Sequence, residues 1–135
     1  MDPSAFVASQ ELIDALVTLS VPVPCEEDCI LFCQGYAPAG VYVVSGGAVK
    51  LAMVSVSGKL MFEVESGPGS VLGLPGVIAN QAYSLTAVAR QGSKIGFVTR
   101  EKFTELMGCN PALSMRVLEV LAAEVRTARR AIFEP

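Results

Sequence analysis

The chain contains no histidine. That removes the commonest general base and, with it, the Ser-His and Cys-His nucleophile pairs; no cluster of carboxylates stands beside a candidate nucleophile either, so catalysis is not expected. Positive charge is scarce. Ten Lys and Arg against thirteen Asp and Glu leave a net charge of −3, the wrong sign for a domain that grips a phosphate backbone by itself, so direct nucleic-acid binding by this chain is not expected. No stretch approaches the roughly 20 apolar residues that cross a bilayer, and "MDPSAFVASQELIDALVTLS" lacks the basic start and long apolar run of a secretory signal. The composition predicts a soluble, cytoplasmic protein without a membrane partner.

Cysteine is present but sparse, at Cys25, Cys29, Cys33 and Cys109, and no C-x-x-C pair occurs. Read as a strand, "CILFC" alternates Cys29, Leu31 and Cys33 on one face with Ile30 and Phe32 on the other, which holds the two thiols too far apart to share a tetrahedral metal. Glu26, Glu27 and Asp28 stand beside Cys25 and Cys29, and their negative charge works against a reactive thiolate. A reducing cytoplasm speaks against a disulfide framework. Neither a metal nor another cofactor is expected.

What remains is 135 residues, 52% of them apolar, enough for one domain with a single core. Ser9 is placed to cap a helix through about Leu19, and "VPVP" ends it. From Cys29 to Thr99 the texture changes to short runs rich in Val, Ile, Phe and Tyr, separated by "QGYAPAG", "SGG", "SGK" and "SGPGS". That spacing predicts an antiparallel barrel or jelly roll, with Ser57-Gly58 as a hairpin turn. Helix returns at Thr99, a cap for "REKFTELM", and at Asn110-Pro111, where a capping side chain precedes a proline at the first helical position; the last helix should run to about Ile132.

The order of these elements, together with Gln34-Gly35, Tyr42 to Val49 with its Ser45-Gly46-Gly47 corner, Gly67-Pro68-Gly69 and Gly73, resembles the cyclic-nucleotide-binding domain of the catabolite-activator and fumarate-nitrate-regulator (Crp/Fnr) family. The resemblance covers nearly the whole chain. It implies a mainly β protein with flanking helices, a double-stranded β-helix (jelly-roll) β-roll plus a long C-terminal dimerisation helix. Residues 1–24 would form an N-terminal helix and connector, 25–99 the β-roll and 100–135 the C-terminal helices, all in one domain. A phosphate-binding cassette would lie between the sixth and seventh strands, where "GLPGVIANQAYSLTAV" stands. The family's transcription factors continue into a winged helix-turn-helix, and none follows within these residues.

In binding members the cassette opens on Gly-Glu-Leu and closes on Arg with a small hydroxyl residue: the helix start and the Arg hold the phosphate, and the Glu takes the ribose hydroxyl. Here Gly73 is kept, but the Glu position reads Leu74 and the Arg position reads Tyr83 or Ser84. Two lost charged contacts, at roughly 1.5 to 3 kcal/mol each, correspond to about two to four decades of affinity. Ordinary binding of cyclic AMP or cyclic GMP is therefore not expected. Two readings stand. The segment either lines a pocket for a less charged small-molecule effector through Gly73, Leu74, Pro75, Ile78, Tyr83, Ser84 and Thr86, or it has closed and these residues are ordinary core.

The terminal helix carries Leu118, Leu121, Val125, Ala128 and Ile132 at three-four spacing, a coiled-coil seam. With Leu118 at an a position, Glu124 falls at g and Arg129 at the next e, placed to pair between the parallel helices of a homodimer. Leu113, Val117 and Val120 occupy a neighbouring face suited to rest on the roll. The functional expectation is a regulatory, signal-transducing sensor domain with a degenerate cassette; the alternative is a ligand-free dimerisation or protein-interaction module.

Overall fold

Ser9 opens the first helix: its hydroxyl accepts from the Leu12 amide at 3.3 Å, and α1 runs Gln10–Leu19 with Leu12, Ile13 and Leu16 turned inward. The computed structural model of the chain describes the backbone of residues 3–133 and the side chains of residues 4–127. Eight strands follow α1: β1 (Val21–Val23), β2 (Cys29–Phe32), β3 (Gly40–Gly46), β4 (Val49–Val54), β5 (Leu60–Ser66), β6 (Val71–Leu72), β7 (Thr86–Ala89) and β8 (Lys94–Thr99). They form two four-stranded antiparallel sheets, ordered β1-β8-β3-β6 and β2-β7-β4-β5, the two faces of a jelly roll. Helix α2 (Leu74–Ala79) is set between β6 and β7, while α3 (Arg100–Cys109) and α4 (Pro111–Phe133) follow β8.

The alternation of a strand divides the interior into two cores. Tyr42 and Val44 of β3, Leu72 of β6 and Ile95 of β8 join Phe32, Leu51, Ala87 and Ala89 of the second sheet, between the sheets. Val41, Val43, Val71 and Val98 project the other way, onto a helical layer of Leu12 and Leu16 from α1, Leu74 and Val77 from α2, Phe103 from α3, and Leu113, Val117 and Val120 from α4. Because β3 is buried on both sides, "VYVV" is unbroken by polar residues.

Two local expectations are corrected. "VPV" is a strand rather than a connector, so the roll begins at Val21; it lies at the edge beside β8, where Pro22 needs no ladder donor on its open side. In β2 the register slips between Ile30 and Phe32, and this bulge turns Leu31 and Phe32 both inward, leaving Ile30 63% exposed. Where β3 starts, Gly40 lies so close to the Val98 carbonyl oxygen that a Cβ would overlap it. That contact brings the backbone of Gly40 within reach of the segment after α2.

Candidate functional site

Gly73 adopts φ 90° as the N-cap of α2, with a proline in the first turn, so the chain turns sharply from strand into a short helix. A Cβ at Gly73 would stand 3.1 Å from Cε1 of Tyr83 and 3.3 Å from the Gly40 carbonyl oxygen. The tyrosine ring therefore rests against the glycine that begins the helix. Tyr83 is 4% exposed, and its hydroxyl is fully engaged: it donates to the Gly40 carbonyl at 2.7 Å and accepts from the amides of Ala39 at 3.0 Å and Gly40 at 3.1 Å. Its ring stacks on Phe32, centroids 4.2 Å apart at 25°. Backbone bonds at both ends of the segment reinforce the clasp, since Gly35 N donates to Tyr83 O at 2.8 Å and Tyr83 N to Tyr36 O at 2.9 Å.

The aromatic row continues through Tyr42, 5.5 Å from Phe32 and 4.9 Å from Phe97. Tyr42 donates its hydroxyl to the Leu31 carbonyl at 2.9 Å, and burial first, then the neighbouring Tyr83 and Cys29, push its phenol up to about 12. It is a neutral donor at any physiological pH.

The space left between the cassette helix, the Tyr83 ring and α4 is a cavity of about 10 Å³, bordered by Gly73, Pro75, Gly76, Tyr83 and Ser84 from the cassette, by Phe6 from the N-terminal turn, by Phe32 and Leu51 from the roll, and by Glu124. That is room for roughly one water molecule. Among the described residues Glu124 is the one charged side chain that borders it. Its Oε2 is buried and has no hydrogen-bond partner among the described residues, and burial pushes its carboxyl up to about 8.

The structure gathers four of the expected ligand-site residues, Gly73, Pro75, Tyr83 and Ser84, at this cavity. Leu74 is fully buried in the helical layer instead, alongside Val77 one turn on. Ile78 lies on the outward side of α2, 48% exposed, so it is neither pocket lining nor core. Thr86 commits its hydroxyl elsewhere, accepting from the Gln34 amide at 3.0 Å. Arg90, at the end of β7, is paired with Glu65 at 2.6 Å on the surface and plays no part in the cavity.

The heptad spacing expects Glu124 at the flank of a seam, and the structure turns it inward to the cavity. A signal for its inward position does exist, because Leu113, Val117, Val120 and Glu124 continue one i, i+4, i+7, i+11 stripe, the stripe that packs on the roll. Of the seam residues, Leu118 is 55% and Val125 53% exposed, and Met115 and the exposed Ala122 extend their row. Leu121 is half-buried against its own helical layer. The side chains of Ala128, Arg129 and Ile132 lie outside the described residues. All four cysteines are free thiols; burial, and then the adjacent Cys29, raise the Cys25 thiol. Among the described residues there is no cluster suited to a metal ion, and no helix is long and apolar enough to cross a membrane.

The family model described as the cyclic nucleotide-binding domain matches residues 22–109. No curated protein matches the sequence closely enough to count as a relative. Among solved structures the chain is similar to the catabolite activator protein of Thermus thermophilus, with a TM-score of 0.78 at 21% identity over 97% of this chain and 62% of that one. It is also similar to a transcriptional regulator from Thermotoga maritima, with a TM-score of 0.73 at 22% identity over 90% and 95% of the two chains. The N-terminal domain of a transcriptional regulator from Streptomyces coelicolor A3(2) aligns with a TM-score of 0.65 at 20% identity over 99% and 93%. The chain thus spans under two thirds of the Thermus protein's length. With the roll, the glycine-opened cassette between β6 and β7 and a family match over most of the sequence, the chain belongs to the cyclic nucleotide-binding domain family.

Proposed function

We propose that this chain is a regulatory domain whose cassette no longer takes cyclic AMP or cyclic GMP in its family's manner, and which acts as a homodimeric interaction module through α4. The observation that carries this reading is Tyr83. Where a binding cassette needs an open, positively charged cradle, this one holds a buried phenol whose hydroxyl is saturated by the backbone of Ala39 and Gly40. The residual cavity of about 10 Å³ compares with the roughly 300 Å³ and upward of small-molecule pockets. Among the described residues no Lys or Arg lines it, and the acidic group that does is the wrong partner for a phosphate. The regulatory role is supported by its neighbours, described as a catabolite activator and transcriptional regulators. Of the two readings of the segment, a pocket for a less charged effector and a closed cassette, this geometry favours the second.

A panel of cyclic mono- and dinucleotides at millimolar concentration tests it by thermal shift and calorimetry. A ligand held at a hundredth of its concentration would stabilise the fold by about 2.7 kcal/mol and raise the melting temperature by several degrees. No shift and no heat are expected; a micromolar complex with cyclic AMP would overturn the reading.

The dimer rests on the exposed row of Met115, Leu118, Ala122 and Val125 along α4, whose three-four-three spacing suits a parallel helix pair. Val125→Glu places a charge in that seam, and sedimentation should then find monomers where the unaltered chain sediments as a dimer. An unchanged dimer would put the interface elsewhere.

A further inference from the structure

Among the described residues Glu124 is the one carboxylate that borders the cassette cavity, and the closed-cassette reading uses it only as an obstacle to phosphate. Its Oε2 is enclosed without a hydrogen-bond partner among the described residues. Facing it are Phe6 from the N-terminal turn, Phe32 from β2, Leu51 from β4, Leu72 from β6 and the Gly73 to Gly76 corner of α2. The Tyr83 hydroxyl is another polar side-chain group near it, and it donates its hydrogen bond to the Gly40 carbonyl. Among the described residues no cation borders the cavity; Arg116 on α4 is turned to Glu119 and Glu11 at the surface.

We propose that this seat between α4 and the cassette is a proton-binding site: Glu124 docks the C-terminal helix against the cassette as a neutral acid, and loss of its proton releases that part of α4. The physical argument is solvation. A carboxylate with one oxygen stripped of water and left without donors or a cation is unfavourable, whereas a carboxylic acid with room for about one water is tolerated. Once ionised, that oxygen must regain water, and the cavity is too small to supply it in full, so the segment of helix carrying Glu124 would move outward. The burial that raises this carboxyl to about 8 fits the same picture and puts the transition within the range a cell can reach. The movement would alter both the cavity wall and the exposed Leu118 and Val125 row on the same helix, which links proton uptake to the dimer seam. The proposal rests on the closed cassette, but it is tested without any nucleotide, so its failure is distinct from that of the nucleotide panel.

The test uses the full chain with carbon-13 in its glutamate side chains. Following the carboxyl signals from pH 3 to pH 10 should assign to Glu124 a midpoint near 8, accompanied by a change in the Tyr83 ring signals and by at least tenfold faster amide hydrogen exchange, corrected for intrinsic pH dependence, around residues 120–127. In Glu124→Gln the ring and exchange changes should vanish while the fold at neutral pH is kept. A Glu124 midpoint in the ordinary range near 4.5, as an arginine from a second copy at the seam would produce, overturns the proposal. So does a ring and exchange transition that persists in Glu124→Gln. Because the midpoint is read on the unaltered chain, the test stands even if the variant folds poorly.

Discussion

Tyr83→Ala should lower the stability of the domain by about 4 kcal/mol or more, and Tyr83→Phe by about 2 to 3 kcal/mol, the two separating the ring's contribution from the hydroxyl's. The alanine removes a 4% exposed aromatic side chain that stacks on Phe32 and rests on Gly73. Truncations of buried aromatics cost about 3 to 5 kcal/mol, because the neighbours collapse incompletely. Phenylalanine keeps the ring but strands the Ala39 and Gly40 amides and the Gly40 carbonyl, which the hydroxyl serves at once. Gly40 cannot shift to find other partners, since it is pressed against the Val98 carbonyl. Urea unfolding should therefore show a lower midpoint for both variants with an unchanged m-value. If Tyr83→Phe unfolds within about 0.5 kcal/mol of the unaltered chain, an ordinary surface-level effect, the hydroxyl does not hold the cassette shut.

This clasp also marks the limit of what the sequence discloses. Local chemistry was legible: Ser9, Thr99 and Asn110 each accept from the amide three residues on, at 3.2 to 3.3 Å, and Ser57-Gly58 turns a hairpin with Gly58 at φ 86°. The strands from β2 to β8 were legible as apolar runs between glycines, apart from the two-residue β6, too short to carry a period. The family resemblance supplied the topology that periodicity alone does not. β1 was missed because proline reads as a breaker until a sheet edge is known to lie there, and the bulge in β2 because strict alternation is the default for a strand. Tyr83 could be singled out as a phenol needing a partner, but its partners are backbone groups 43 and 44 residues away, which no side-chain pattern encodes. Leu74 and Ile78, four apart on one short helix, look equivalent in sequence, yet one is fully buried and the other half exposed, because α2 ends before its second turn reaches cover.

Glu124 gives the second large effect, in the dependence of stability on pH. Its carboxyl is raised from 4.5 to about 8 by burial in the folded state, so between those values the native chain holds a proton that the unfolded chain has lost. Stability must therefore fall as pH rises through this window. The full stabilisation is present below about pH 4.5, it declines up to about pH 8, and beyond that the contribution is flat. At about 1.4 kcal/mol per pKa unit the decline amounts to at most on the order of 4 to 5 kcal/mol, and about 2 to 4 is expected because the side chain is not wholly removed from water. Glu124→Gln keeps the shape and cannot ionise. Urea midpoints at pH 5, 7 and 9 should diverge, the glutamine variant becoming the more stable by a widening margin, while the two chains nearly coincide at the acid end. The exposed Arg90–Glu65 and Arg116–Glu119 pairs cannot imitate this, since they are present in both chains and drop out of the comparison. Parallel curves for the two chains across the window would mean that Glu124 is already ionised at neutral pH, with water or a second subunit reaching it. An acid buried in a seat of single-water size leaves the opposite expectation: the domain holds its C-terminal helix most tightly where that acid is neutral.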